Sequence, residues 1–241
     1  MKVVGQLTGI SKKSNFIQMF QPDTLKLDNV RAYYWDYAKV SDVTGETGCW
    51  CYKNTDTTTG QVKDTEVPHD VAFPAGTAFL FNCPTDSKGI GLQFAGQVMK
   101  PVPDADGYIT ISKVVGNSEV KYMFFSNPFA VAISLADMKI DGSLTGISKK
   151  SNFIQKFQTG TQKLDNVNAY YWDYAKTAAS GATGCWCYKN SDTTTGQVKD
   201  TEVLNAASIS IAPGEGFFFQ SPTTGKDICV KIKVPVAITN L

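Results

Sequence analysis

The sequence contains few of the residues on which catalysis normally depends. Its 241 residues include one histidine, His69, which lies between Pro68 and Asp70 in a stretch that is not repeated in the chain. The sequence has no Gly-x-Ser-x-Gly motif, phosphate-binding glycine loop or metal-binding helix motif. A lone histidine is usually a surface or hydrogen-bonded residue rather than a general base. We therefore predict a protein that is not an enzyme, with no catalytic residues and no cofactor.

Excess charge of one sign is also missing. The chain carries 23 basic and 22 acidic side chains, and its formal net charge is +1. Lys12-Lys13 and Lys149-Lys150 are isolated pairs rather than parts of a basic stripe. Binding to nucleic acid without sequence preference needs many clustered cations. We predict that nucleic acid is not a partner.

Long apolar runs are absent, although 42% of the residues are hydrophobic. No run approaches the roughly 18 apolar residues that a membrane-spanning helix requires. The first residues, MKVVGQLTGISKK, lack the apolar core of a signal peptide. We expect no membrane partner and synthesis in the cytosol. A mature form whose leader has been removed is the alternative.

The chain contains a long internal duplication. Four segments recur unchanged. They are LTGISKKSNFIQ (7–18 and 144–155), AYYWDYAK (32–39 and 169–176), GCWCYKN (48–54 and 184–190) and DTTTGQVKDTEV (56–67 and 192–203). The similarity weakens after this, where PAGTAFLFNCP (74–84) matches APGEGFFFQSP (212–222). We predict a first unit over 1–98, a connecting segment over 99–137 and a second unit over 138–241.

The connecting segment precedes only the second copy, because Met1 already aligns with Met138. Two similar units would then share one such element. We expect the connecting segment to complete one unit and leave the other with an open side. An exposed sheet edge is usually paired or covered, and the expected cover is a neighbouring copy of the chain. The sequence therefore predicts a homo-oligomer that forms through edge strands.

Aromatic and β-branched residues alternate with polar ones along most of the chain, which is typical of strands. The fold class we predict is all-β, with two tandem, near-identical antiparallel β-sandwich or barrel units and one short helix. Asn127-Pro128 should end a strand. Ser134 followed three residues later by Asp137 has the form of a capping box, which places the helix over Leu135–Lys139.

Four of the six cysteines form two Cys-Trp-Cys triplets, namely Cys49, Cys51, Cys185 and Cys187. In a strand, residues i and i+2 point to the same face, so each triplet places two thiols together. We favour buried free thiols in a reducing compartment. A zinc site built from all four is a second interpretation, although structural zinc sites usually separate paired cysteines by two or more residues. Disulfides are the third, and the unmatched Cys83 and Cys229 speak against them.

The YYWDY segment also has two faces if it is a strand. Tyr33, Trp35 and Tyr37 would share a core face, while Tyr34 and Asp36 would share the other. The second pair recurs as Tyr171 and Asp173. We expect packing or subunit contact from it, with glycan binding by ring stacking and a carboxylate hydrogen bond as the alternative.

Several carboxylates recur in both copies, and paired carboxylates can serve glycoside hydrolysis. Their spacing singles out no acid and base, so we expect most of them to be solvated strand ends. They are Asp28, Asp36, Asp64 and Glu66, repeated as Asp165, Asp173, Asp200 and Glu202.

Three motifs of the second half, in order, resemble a family. These are SNPFAVAISLADMKIDG (126–142), AYYWDY (169–174) and APGEGFFFQSP (212–222), followed by an apolar closing strand. Their order resembles a poorly characterised β-rich repeat of gut-bacterial and phage-associated sequences, which occurs in small proteins and as modules of exported ones. The resemblance implies a β fold and a surface or virion role, and it implies no catalytic residues.

We therefore predict a non-enzymatic structural protein that assembles with copies of itself. A phage virion surface component, such as a capsid decoration or a fibre-like element, fits best, with other virion proteins as further partners. The absence of an apolar leader favours this virion location over an exported module. The alternative is a cell-surface or secreted carbohydrate-binding or adhesion module.

Overall fold

A computed structural model describes residues 1–9, 11–21, 26–68, 71, 78–82, 90–93, 101–114, 121–158, 161, 163–221 and 226–239. The chain divides into two compact units. The described residues of 1–93, except Ala78, form the first unit, and those of 101–239 form the second. His69 and Cys83 lie outside the described residues.

The first unit consists of antiparallel strands. Four of them form a sheet in the order β4-β3-β2-β5, and the other two, β1 and β6, form a separate pair. A 3-10 turn, Lys12–Ser14, precedes β2. The strands are β1 (Lys2–Val4), β2 (Phe16–Phe20), β3 (Leu27–Val40), β4 (Thr47–Tyr52), β5 (Phe79–Asn82) and β6 (Gly91–Gln93).

The second unit is larger. Its strands are β7 (Tyr108–Val114), β8 (Lys121–Ser126), β9 (Ile133–Ser134), β10 (Met138–Gly142), β11 (Phe153–Phe157), β12 (Leu164–Thr177), β13 (Thr183–Tyr188), β14 (Ser210–Ile211), β15 (Gly216–Ser221) and β16 (Ile228–Lys233). They form a five-stranded sheet β13-β12-β11-β15-β8, a three-stranded sheet β10-β16-β7 and the pair β14-β9. The helical elements are the 3-10 turns Leu135–Asp137, Lys149–Ser151 and Ala206–Ser208 and the helix α1 (Val236–Thr239).

The predicted fold class is confirmed. The described residues are mostly strands in open antiparallel sheets, and the arrangement is sandwich-like, with none of the sheets closed into a barrel. The two longest strands, β3 and β12, contain the YYWDY segments and have 14 residues each. No helix in the described part of the chain is long and apolar enough to cross a membrane.

For the segment before the second copy, the predicted strand end and capping box are confirmed, but the extent of the predicted helix is wrong. Strand β8 stops at Ser126, just before Asn127-Pro128, and the Ser134–Asp137 capping box is present. The helix predicted over Leu135–Lys139 is wrong in extent, because only Leu135–Asp137 forms a 3-10 turn. Met138 begins β10, since five residues of that strand pair with β16. The α-helix of the chain, Val236–Thr239, was not predicted.

Two strands of the segment add to the sheets of the second unit. Strand β7 pairs with β16, and β8 pairs with β15. The counterparts of β15 and β16 in the first unit are β5 and β6, which pair with β2 and β1. Among the described residues, the first unit contains no counterpart of β7 or β8. Within the described residues, the five-stranded and three-stranded sheets of the second unit therefore each have one strand more than their counterparts in the first unit.

Candidate functional site

The structure brings the predicted ligand residues and the paired cysteines together on one face of each unit. In the first unit the register places Tyr34 opposite Cys51 and Asp36 opposite Cys49. The second unit repeats this register, with Tyr171 opposite Cys187 and Asp173 opposite Cys185. The alternation of strand side chains puts all members of a set on the same side of the sheet. We call these two sets of four residues the thiol faces.

The tyrosine of each thiol face is buried and hydrogen-bonded. Tyr34 is 3% exposed, and its hydroxyl donates to Asp64 Oδ1 at 2.8 Å. Lys13 Nζ donates to the other oxygen of Asp64 at 3.0 Å. Burial and the neighbouring Asp64 carboxylate raise the pKa of Tyr34, so its hydroxyl stays protonated. Tyr171 and Asp200 repeat the bond at 3.2 Å.

The aspartate of each thiol face is also buried, which corrects the expectation that it is a solvated strand end. Asp36 and Asp173 are each 8% exposed. Asp36 forms an ion pair with Lys12 at 2.8 Å and accepts hydrogen bonds from the backbone N–H groups of Ala38 and Lys39. Burial by itself would raise the pKa of Asp36, but Lys12 and these N–H groups outweigh it and hold the pKa below its usual value. Asp173 pairs with a lysine in the same way, at 2.7 Å.

The cysteines of the thiol faces are buried free thiols. The Sγ atoms lie 3.9 Å apart for Cys49 and Cys51 and 4.0 Å apart for Cys185 and Cys187. Burial, together with the neighbouring thiol, raises the pKa of Cys49 and of Cys185 to about 12. Thiols with such a pKa are poor nucleophiles at neutral pH. Within the described residues, no group of three or more His, Cys, Asp or Glu side chains is placed to hold a metal ion.

Each thiol face is therefore a set of mutually paired groups inside the unit. Since Tyr34 and Tyr171 are each 3% exposed, neither ring offers an open face for stacking in this structure. A lysine and two backbone N–H groups contact Oδ1 of Asp36 and, in the same way, Oδ1 of Asp173. Glycan binding by Tyr34, Asp36, Tyr171 and Asp173 stays a prediction.

In the first unit, the face of the four-stranded sheet opposite the thiol face borders a cavity of about 450 Å³. Tyr33 and Trp35 of β3 and Trp50 of β4 line it, as the predicted alternation of the YYWDY strand requires. Lys2, Thr44 and Glu46 add polar groups. The remaining apolar lining includes Met1, Ile17, Val67 and Val71. We call this space the tryptophan cavity.

The two tryptophans are held in fixed positions. The Trp50 indole N–H donates to the Met1 carbonyl at 2.8 Å, and the Trp35 and Trp50 rings meet edge to face at 5.4 Å. Gly48 has a φ of +99°, and a Cβ built there would lie 2.7 Å from Trp35 Cζ2. Only glycine combines this backbone conformation with such a close approach. Gly184 and Trp172 have the same relation, with a distance of 2.8 Å.

Sequence reasoning did not predict the tryptophan cavity. It separated the two faces of the YYWDY strand correctly, and its assignment of Tyr33 and Trp35 to the core agrees with their burial. It did not predict that the same side chains also line a cavity. The available signal was that the segment 129–137 occurs only once in the given sequence, whereas the motifs that follow it occur twice. No protein-family model, curated protein or solved structure matches the chain.

Proposed function

We propose that the protein is a non-enzymatic structural component that assembles with copies of itself, as a surface element of a phage virion. The observation that carries the proposal is the unequal completion of two similar sheets. Strand β16 lies between β10 and β7 in the second unit, whereas the described part of the first unit pairs its counterpart, β6, with β1 alone. A sheet with fewer strands and an apolar cavity is a surface suited to association.

The buried chemistry of the thiol faces supports a structural part. The Tyr34 hydroxyl donates to Asp64, Asp36 forms an ion pair with Lys12, and Lys13 donates to Asp64. The Cys49 and Cys185 thiols are protonated at neutral pH because burial raises their pKa to about 12. Repetition of the same set in both units fits a building block better than an active site, which usually places different groups on its two sides.

The virion assignment depends on the resemblance of the motifs at 126–142, 169–174 and 212–222 to repeats of phage-associated sequences. Other virion proteins are then further partners. Negative-stain electron microscopy and sedimentation velocity of the purified protein, over roughly 1 to 100 µM, test the proposal. Closed oligomers or extended arrays are the expected result. A monomer throughout this range would contradict self-assembly, and capsid and tail genes next to the gene would support the virion location.

One observation favours a second function, a cell-surface or secreted carbohydrate-binding module. The tryptophan cavity combines Trp35 and Trp50 with Thr44 and Glu46, and aromatic rings with a few polar groups are typical of sugar sites. A glycan array that compares the protein with its Trp50→Ala variant tests this function. Binding of a glycan by the unaltered protein, and its loss in the variant, would favour the adhesion module over the virion component.

A further inference from the structure

Trp50 and Trp186, at matching positions of the two units, form the same hydrogen bond but differ in burial. The Trp186 indole N–H donates to the Met138 carbonyl at 2.8 Å, as Trp50 does to Met1. Trp186 is 3% exposed and Met138 is 2% exposed, whereas Trp50 and Met1 are only half-buried. The strands that carry them are paired alike. Among the described residues, the second unit adds apolar side chains to the cluster that contains Trp186, and we attribute the difference in burial to them.

The added residues belong to the segment that leads into β10. Phe129, Ile133 and Leu135 are 6%, 5% and 0% exposed, and they share one buried cluster with Trp186. Tyr170 and Val203, the counterparts of the cavity residues Tyr33 and Val67, also belong to that cluster. The segment 129–137 therefore supplies apolar side chains to the region that corresponds to the tryptophan cavity.

Backbone hydrogen bonds also fix the position of the segment 129–137. Ile133 pairs with Ile211, and the Leu135 N–H donates to the Ile209 carbonyl at 3.0 Å. The N–H and hydroxyl of Ser134 both donate to Asp137 Oδ2, which fixes the turn into Met138. An extended piece with apolar residues and a capped turn thus forms part of the buried cluster on this side of the sheet.

The first unit presents the same sheet with the corresponding space open. Tyr33, Trp50 and Val67 line the tryptophan cavity beside Met1, and the cavity of about 450 Å³ has a size typical of ligand sites. Val71, from the stretch that follows Val67, forms another part of the wall. An apolar side chain placed here would leave water much as Leu135 does in the second unit.

We propose that the tryptophan cavity binds, in trans, an extended apolar peptide segment with the chemistry of residues 129–137. The segment would insert a leucine-like side chain beside Trp50 and Met1. This inference goes beyond the proposed assembly function, because the occupant is a peptide segment and not a second copy of the chain. The second unit serves as its template, because it contains both halves of the contact in one chain.

The test uses the full-length protein and a fluorescein-labelled synthetic peptide with the sequence of residues 126–137, SNPFAVAISLAD. Fluorescence anisotropy should show saturable binding. A peptide with Leu135→Asp should bind at least about tenfold more weakly, because it would bury a charge where an apolar side chain is required. Equal binding of the two peptides, or no binding of either, would overturn the proposal.

A matched pair of protein variants tests whether the peptide binds in the tryptophan cavity. Val71 lines the cavity, whereas Val43 is 67% exposed and does not belong to the lining. V71R should weaken binding of the peptide by about tenfold or more by occupying the cavity with a charged side chain, and V43R should leave it unchanged. Equal effects of the two variants would overturn the assignment to the cavity. If V71R does not fold, as judged by circular dichroism, the two peptides still decide the question.

The experiment separates this inference from the proposed function. Peptide binding by a protein that stays monomeric would support the cavity proposal and contradict self-assembly. Oligomers that form while neither peptide binds would support assembly and overturn the cavity proposal. Self-association that V71R abolishes and that excludes the peptide would overturn it in favour of a second copy as the occupant.

Discussion

The two units are nearly the same sequence in two different structural contexts. Where the repeat is closest, the contacts agree: Tyr34–Asp64 and Tyr171–Asp200 form the same hydrogen bond, and both Cys-Trp-Cys triplets lie on the same strands. Burial differs on the opposite face, where Trp186 is 3% exposed and Trp50 is half-buried. The comparison teaches that the repeat itself encodes the sheet and its thiol face. Residues outside the repeat, Phe129, Ile133 and Leu135, belong to the buried cluster of the second unit.

The largest expected effect comes from removing the side chain that covers the second unit. Leu135→Ala should lower the free energy of unfolding of that unit by about 3 kcal/mol, because it empties space around a fully buried leucine. Hydrogen exchange read by mass spectrometry can resolve the units, since peptides from 121–137 and 226–239 have no copy in the first.

The matched control for this substitution is Val102→Ala, because Val102 is 89% exposed. It should change the free energy of unfolding by less than about 0.5 kcal/mol. Equal exchange of the second unit in the Leu135→Ala and Val102→Ala proteins would mean that Leu135 is not the cover that distinguishes the units.

Substitution of Trp186 and of Trp50 should lower the free energy of unfolding by smaller and unequal amounts. Trp186→Phe removes the hydrogen bond to Met138 in a closed core and should cost about 2 kcal/mol. Trp50→Phe removes the same bond next to an open cavity, where water can solvate the Met1 carbonyl, and should cost about 1 kcal/mol. Urea denaturation of both variants measures the difference. Equal losses would contradict the inference that only the second unit is closed.

Much of the fold and part of the candidate site could be predicted from the sequence. The alternation of YYWDY separated Tyr33 and Trp35 from Tyr34 and Asp36 because side-chain direction in a strand follows a period of two. The burial of Asp36 was not predicted, since it depends on Lys12, which reaches it from outside the strand. The tryptophan cavity was not predicted because periodicity gives the direction of a side chain but not what lies opposite it.

A further expected effect concerns pH and the thiol face of the first unit. Asp36→Asn should lower the free energy of unfolding at pH 7 by about 1.5 kcal/mol, because it replaces a carboxylate that accepts charge-assisted hydrogen bonds. The pKa of Asp36 is lowered in the folded protein, so its contribution is present above the ordinary aspartate pKa of about 3.9. It is lost as the pH falls through the lowered value.

Urea denaturation at several pH values between about 7 and 3 checks this dependence. The difference between Asp36→Asn and the unaltered protein should shrink as the pH falls, because the native carboxyl then also becomes neutral. Asp106→Asn, at an exposed position, is the control. A difference that stays constant down to the lowest pH would contradict the role of the Lys12 ion pair.

The smallest expected effect concerns a cation–π contact between a lysine and a phenylalanine that occurs in both units. Lys53 Nζ lies 3.2 Å from the centre of the Phe16 ring, and Lys189 Nζ lies 3.6 Å from that of Phe153. Burial lowers the pKa of both lysines, and the ring faces offset part of this loss of solvation. Lys53→Met and Lys189→Met should each cost about 0.5 kcal/mol by removing the cation–π contact. Urea denaturation should give the same loss for both, since Phe16 and Phe153 pack against the thiol faces that the repeat encodes. The exposed Lys63→Met should change nothing. A clear inequality between the two would show that the difference between the units extends through the sheet to the thiol face.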